Sequence, residues 1–280
     1  MPSMDSTIAG TSGIGITEAQ VYAAIADVLD PELDESLVKL GFIDQVQVDG
    51  PDVSVVFRLP TYWCSPNFAY LMAEDLRARV RALPGVRTVR VMLLDHCSED
   101  EINSGINAGL SFPEAFQGEA TEDLEELRRI FLRKGFLMRQ DALLRQMLKV
   151  GLDEAAIRSL RMANLTVDEA SDAAIIRTSD RAVRLEGLGR KALTYLRRGT
   201  VLGLLQGPDD PLITDDQGQP IAPGDLQDFL RRSRSIRMNI MFNTSFCTSM
   251  FQTRYGRKGA LPAPQDGLTR PTPTVEGDLV

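Results

Sequence analysis

The stretch LPTYWCSPNFAY, residues 59–70, sets Cys64 between the only Trp of the chain and a Ser-Pro pair, straight after a strand-like run. A thiol there can ligate a soft metal or attack an electrophile as thiolate, or fill a small apolar gap as thiol. Ser65 is placed to cap a helix and Pro66 suits its first position. Cys64 is then expected at the positive end of a helix dipole, which favours the thiolate. The acidic run LDPELDE, residues 29–35, would oppose this by charge. His96, the only histidine, and Cys97 follow a later strand-like run. A lone His beside a Cys at a strand end is more often incidental than a ligand. Cysteine catalysis needs a base, so an enzyme reading would have to pair Cys64 with His96. No HExxH, CxxC or Gly-rich phosphate loop occurs. Cys247, among Phe242, Phe246 and Met250, is read as core.

The elements that must position these groups are legible. Thr17 N-caps a helix carrying Val21, Ile25, Val28 and Leu29, which Pro31 ends. Ile43, Val46 and Val48 form one strand and Val53, Val55, Val56 and Phe57 another, with DGPD as the turn of a hairpin. Phe68, Met72, Leu76 and Val80 stand four apart on a helix over 66–81. LPGV stops it, residues 87–94 form a third strand, and SEDEINSGINAGL reads as a closing helix. A β-α-β crossover makes its strands parallel, with their C-terminal ends on one edge. That edge is expected to gather Asp30 and Glu32, Thr61, Cys64 and Ser65, and His96 and Cys97.

The expected fold class is thus α/β (α+β): an α-β-β-α-β-α domain with a small mixed sheet over residues 17–118, then a mainly α-helical domain over 119–255. Residues 1–16 and 256–280 read as disordered tails. In the second domain Gly135 and Gly151 punctuate a helical stretch. RAVRLEGLGRKALTYLRRG, 181–199, reads as a basic helix, and DDPLITDDQGQPIAPGD as a turn-rich hairpin. The Met- and Phe-rich run 236–256 reads as core of that domain, with a docking surface as the alternative.

The 280 residues carry a net charge of −8, which argues against nucleic-acid binding. Residues 1–120 hold 7 Lys and Arg against 18 Asp and Glu, the remainder 24 against 21, so the two parts can attract each other or face different partners. The short basic run RRSRSIR, 231–237, fits a solvated helix face. Three cysteines fit a reducing compartment. With neither a signal-peptide pattern nor a long apolar run, the expectation is a cytoplasmic protein with no membrane segment.

Leu29-Asp30-Pro31-Glu32, Leu40-Gly41, the loop from Thr61 through Cys64 to Pro66, and LPGV followed by VRV together resemble the iron–sulfur cluster assembly (FSCA) domain, a family that includes SufT- and PaaD-like proteins. The resemblance covers about residues 17–115. Ser65 stands between the Cys and Pro that are usually adjacent, and DHCSEDEI replaces the usual segment after the third strand. The resemblance implies a non-enzymatic maturation factor with Cys64 as its functional thiol and iron or an Fe–S cluster as transient cofactor. The implied partner is a client metalloenzyme subunit, such as the hydroxylase of a bacterial multicomponent diiron monooxygenase. One thiol does not hold a cluster, which usually takes four. Cys97 and His96, a second copy of the chain in a homodimer, or the client must supply the rest. The alternatives are a metal-free chaperone docking through the Met- and Phe-rich run and a Cys64-dependent enzyme.

Overall fold

The computed structural model describes residues 15–117 and 124–256; the tails read over 1–16 and 256–280 lie outside them except for residues 15, 16 and 256. Helix α1 (Glu18–Ile25) opens on the expected Thr17 cap, which accepts from the Gln20 N–H while the Gln20 side chain returns to the Thr17 N–H. An acidic turn follows between the two-residue strands β1 (Leu29–Asp30) and β2 (Glu35–Ser36). Helix α2 (Leu37–Leu40) ends at Gly41, in the left-handed conformation at φ +74°. The expected hairpin is β3 (Ile43–Asp49) and β4 (Asp52–Arg58), antiparallel. Helix α3 (Pro66–Arg81) crosses over to β5 (Thr88–Leu94), parallel to β4, with Val53, Val55 and Phe57 opposite Val89, Val91 and Leu93. Val53, Val55 and Phe57 share a core with Met72, Leu76 and Val80 of α3. Phe68, the first member of that stripe, is only partly buried and meets Phe131 edge-on at 5.0 Å.

Helix α4 (Glu99–Ala108) covers the open edge of β5. Asn103 accepts from the Leu93 N–H and donates to the Leu93 carbonyl, and Asn107 does the same at Val91. Four helical residues rise about 6 Å and two strand residues about 6.6 Å, so one amide per turn matches every second strand residue. An exposed sheet edge is thereby closed without a fourth strand. Helix α5 (Phe112–Ala115) completes this half.

The second half is helix-rich and encloses a sheet. Helix α6 (Leu124–Lys149) is followed by α7 (Glu154–Ser159), a 3-10 turn at Met162–Asn164, and an antiparallel meander of β6 (Leu165–Asp168), β7 (Ala173–Arg177) and β8 (Ala182–Glu186). Helices α8 (Gly189–Val201) and α9 (Leu226–Tyr255) complete it. The basic helix read over 181–199 therefore begins only at Gly189. Residues 182–186 alternate in burial as a strand does, and Gly187, at φ +69°, turns the chain between them. Residues 209–225 make turns with two isolated bridges, Thr214 to Pro220 and Pro211 to Arg161, in place of a regular hairpin. Gly135 lies inside an unbroken α6; Gly151 does end that stretch.

Each half has its own hydrophobic core, and α9 contributes to both. Phe229 and Leu230 belong to the second. Phe251 belongs to the first, its ring 4.8 Å from that of Phe42. The Met- and Phe-rich run is not core of the second half as the sequence suggested: Met238, Met241, Phe242 and Phe246 are exposed. The helical period sends them away from the face that buries Thr244, Thr248 and Phe251.

Candidate functional site

Strands β4 and β5, being parallel, deliver the loops 59–65 and 95–98 to the same edge of the sheet. Cys64 sits half-buried against the first core, its Sγ 3.1 Å from Thr61 Oγ1. Tyr62 and Trp63 beside it are 51% and 72% exposed. Ser65 occupies the N-cap position of α3 without a side-chain cap bond, while its carbonyl accepts from the Phe68 and Ala69 N–H groups. Helix dipole and acidic turn pull Cys64 in opposite directions, and the balance goes against the thiolate. Burial is the largest influence and pushes the thiol up; hydrogen bonds from Thr61 pull it down, and the Asp30 and Glu32 charges add to the rise.

His96 and Cys97 do reach the Cys64 loop, but not as ligands. The Ser98 N–H donates to His96 Nδ1 at 3.1 Å, so Nε2 carries the proton and donates to the Cys64 carbonyl at 2.7 Å. Burial lowers the His96 pKa and keeps the ring neutral. Both ring nitrogens are thus committed, and neither offers a lone pair to a metal or takes a proton from the Cys64 thiol. The Cys97 N–H donates to the Tyr62 carbonyl at 2.8 Å, while its exposed Sγ lies 3.8 Å from Ser98 Oγ. Histidine ring and Cys97 amide together staple the post-β5 loop to the thiol loop. Among the described residues no three His, Cys, Asp or Glu side chains converge as a metal site. The expected in-chain ligand set of Cys64, His96 and Cys97 is therefore not assembled.

The acidic turn is the third component. Asp30 Oδ1 accepts from the Glu32 and Leu33 N–H groups at 2.9 and 3.0 Å, which fixes the turn. Burial pushes the Asp30 carboxyl up to about 6 against the pull of those bonds. Asp34 takes a left-handed backbone at φ +54°, as does Asp95 at φ +59° in the loop after β5; aspartate tolerates this better than most residues. The Asp34 carboxylate is held by Arg139 of α6 and Arg198 of α8. Gly135 makes this possible: a Cβ there would lie 1.5 Å from Arg198 Nη1 and 2.8 Å from Asp34 Oδ1. The guanidinium rests on the bare backbone of α6. The same turn is also held by α9, whose Asn243 donates to Glu32 Oε1 at 3.1 Å.

Helix α9 brings a group that sequence reasoning had assigned to core. Asn243, Cys247, Phe251 and Tyr255 stand four apart, and all four face the first half of the chain. Arg58 stacks over the Tyr255 ring at 5.3 Å. Cys247 packs half-buried against the first core, within the electrostatic reach of Asp30, Cys64 and Glu32. Burial first, then those charges, pushes its thiol up to about 12. The four-residue spacing was the available signal. The Asp34 clamp had none, since its partners lie 105 and 164 positions away along the chain.

Residues 18–91 match the family model described as "Iron-sulfur cluster assembly protein". An uncharacterised protein of Methanocaldococcus jannaschii, MJ1129, is 36% identical over 90 residues, covering 92% of that protein and 31% of this chain. This chain belongs to the iron–sulfur cluster assembly protein family. The family match contains the acidic turn and the Thr61–Cys64 loop and ends inside β5. His96, Cys97 and every residue of α6 to α9 lie beyond it, so the clamp on Asp34 and the helix bearing Cys247 are additions to the family domain. Among the described residues no helix is long and apolar enough to cross a membrane.

Proposed function

We propose that the protein is a non-enzymatic assembly factor that receives iron or an Fe–S cluster as cargo at Cys64 and passes it to a client metalloenzyme. The observation that carries this reading is the placement of the family thiol. Cys64 lies at the sheet edge beside the acidic turn, with exposed Tyr62 and Trp63 flanking it. A thiol kept protonated by burial is a poor standing nucleophile, and His96 is turned to the Cys64 carbonyl rather than its sulfur. Both points favour cargo handling over cysteine catalysis. A bound cation would offset the acidic surroundings and draw the thiol to its thiolate form, so ligation and proton release are coupled. The client class we favour, a diiron oxygenase hydroxylase, comes from the family resemblance alone; action in the cytoplasm is the reading that the three cysteines fit.

The exposed aromatic surface supports a client-docking role. Trp63 adjoins Cys64, and Phe246, 54% exposed, adjoins Cys247. Phe242, 70% exposed, stacks on Phe246 with ring centroids 6.4 Å apart, so the exposed rings of α9 form a pair and not isolated surface hydrophobes. The same surface suits a metal-free chaperone, the second reading. Anaerobic incubation with ferrous iron and sulfide, followed by transfer to an apo-ferredoxin, decides between them. The expected result is faster cluster appearance in the acceptor with wild-type protein than with Cys64→Ala. Equal rates for both proteins would remove the cargo reading and leave the chaperone.

A further inference from the structure

We propose that the outer face of α9 is the docking strip for one helix of the client, an amphipathic helix of about five turns with an acidic end. This names the partner's chemistry at the client-docking surface of the reading above and rests on that reading. Helix α9 is anchored by its inner face in both cores, through Phe229 and Leu230 near one end and Phe251 near the other. At about 3.6 residues per turn, Arg231, Arg234, Met238, Met241, Phe242 and Phe246 fall on the opposite side. All six are exposed. Exposed Ser245 and Ser249 carry the same stripe onward, so from Arg231 to Ser249 it runs about 27 Å. The stripe is ordered. Phe242 and Phe246 stack with ring centroids 6.4 Å apart and planes 10° apart. Arg237, itself paired with the buried Asp141, donates to Met241 Sδ at 3.9 Å. Side chains ordered in advance lose less entropy when a partner arrives.

The chemistry of the strip selects its occupant. A long, straight apolar face on one helix is matched by the apolar face of another. The N-terminal end of the strip is basic. Arg231 shares its charge with Asp228, whereas Arg234 has no ion-pair partner among the described residues. A carboxylate of the client supplies that partner. Acidic side chains are best placed in the first turn of a helix by its own dipole, which sets the client helix parallel to α9. A second copy of α9 brings no such carboxylate: parallel pairing sets the arginines against each other, and antiparallel pairing sets them against the Ser249 end. An anionic lipid surface would attract the arginines but repel a chain of net charge −8. The strip is an addition of this chain, because α9 lies outside the family match.

The test uses the whole chain and a labelled synthetic helix of about 18 residues, with leucines alternately three and four apart and a block of Glu in its first turn. Fluorescence anisotropy should show saturable binding. Phe242→Ser with Phe246→Ser should weaken it by at least about tenfold. Arg231→Glu with Arg234→Glu should weaken it on the order of fivefold at low salt, and that variant should prefer a peptide with Lys in place of Glu. No binding, or binding that neither pair of substitutions changes, overturns the proposal. A second measurement needs no variant: dilute peroxide should convert Met238 and Met241 to sulfoxides quickly in the free protein and slowly with the peptide bound. Protection in the free protein would give the strip to the chain itself, and protection that grows with protein concentration would give it to a second copy. Either result overturns the client helix, as does co-sedimentation with anionic vesicles when the peptide does not bind. Failure of the two readings is separable. If Cys64→Ala slows acceptor maturation while the peptide does not bind, the cargo function stands and the strip falls. If the peptide binds as expected but Cys64→Ala leaves transfer unchanged, the strip stands and the cargo function falls.

Discussion

Gly135→Ala should destabilise the protein, although the same change in an exposed helix interior stabilises by about 1 kcal/mol. The added methyl would lie 1.5 Å from Arg198 Nη1, 2.8 Å from its Cζ and 2.8 Å from Asp34 Oδ1. An arginine tip ordinarily swings away from such a conflict. Here the side chains of Arg198 and Asp34 are only 7% and 4% exposed, so the tip has no solvent to move into without abandoning the carboxylate. Removing one partner from a buried ion pair costs about 3–5 kcal/mol. Arg139 remains on Asp34, which favours the lower part of that range. After the gain in helix propensity the expected loss is about 2–4 kcal/mol. The assay is urea unfolding of four proteins: wild type, Gly135→Ala, Arg198→Met and the double variant. In the Arg198→Met background the methyl meets no guanidinium, so Gly135→Ala should become neutral or mildly stabilising. Equal effects in both backgrounds, or stabilisation of wild type by Gly135→Ala, would refute the account of the clamp.

Three further outcomes follow from the site. Asp30 has its pKa raised from 3.8 to about 6 in the folded state, so the folded protein binds its proton more tightly and Asp30 erodes stability as pH rises from about 4 to 6. Asp30→Asn keeps the Oδ1 acceptor of the turn, and its melting temperature relative to wild type should improve between pH 4.5 and 7.5 by the equivalent of about 2 kcal/mol; no pH dependence of that difference would count against it. His96→Ala leaves the Cys64 carbonyl and the Ser98 N–H without their ring partner and should cost about 1–3 kcal/mol, yet leave transfer to the acceptor per folded molecule unchanged, which a ligand histidine would not. Phe242→Ser with Phe246→Ser should change stability by no more than about 0.5 kcal/mol per site, while weakening transfer to an acceptor if the aromatic surface is the docking face; unchanged transfer would remove that role.

The helix-hairpin-helix-strand order of the first half was legible because each element carries its own local signal. Thr17 caps α1, DGPD turns the hairpin, and Met72, Leu76 and Val80 keep one period. The parallel crossover follows from chain connectivity, so the gathering of the Cys64 and His96 loops was legible as well. The closing helix was legible too, but not that Asn103 and Asn107 would use it to seal the edge of β5. The meander in the second half was hidden because Ala182–Glu186 is short and only two residues separate it from a real helix. Chemistry at the site was decided by tertiary structure. Sequence placed His96 near Cys64 but could not say that both its nitrogens would be spent on backbone groups. It offered a helix dipole and an acidic turn as opposing influences on the thiol, and only burial settled the direction. Cys247 and the arginines that hold Asp34 carry no local sign of their partners, because those contacts depend on how two separately cored halves dock. The sequence by itself determined the elements and the family loop; the docking of α6, α8 and α9 onto the acidic turn determined which groups meet the thiol.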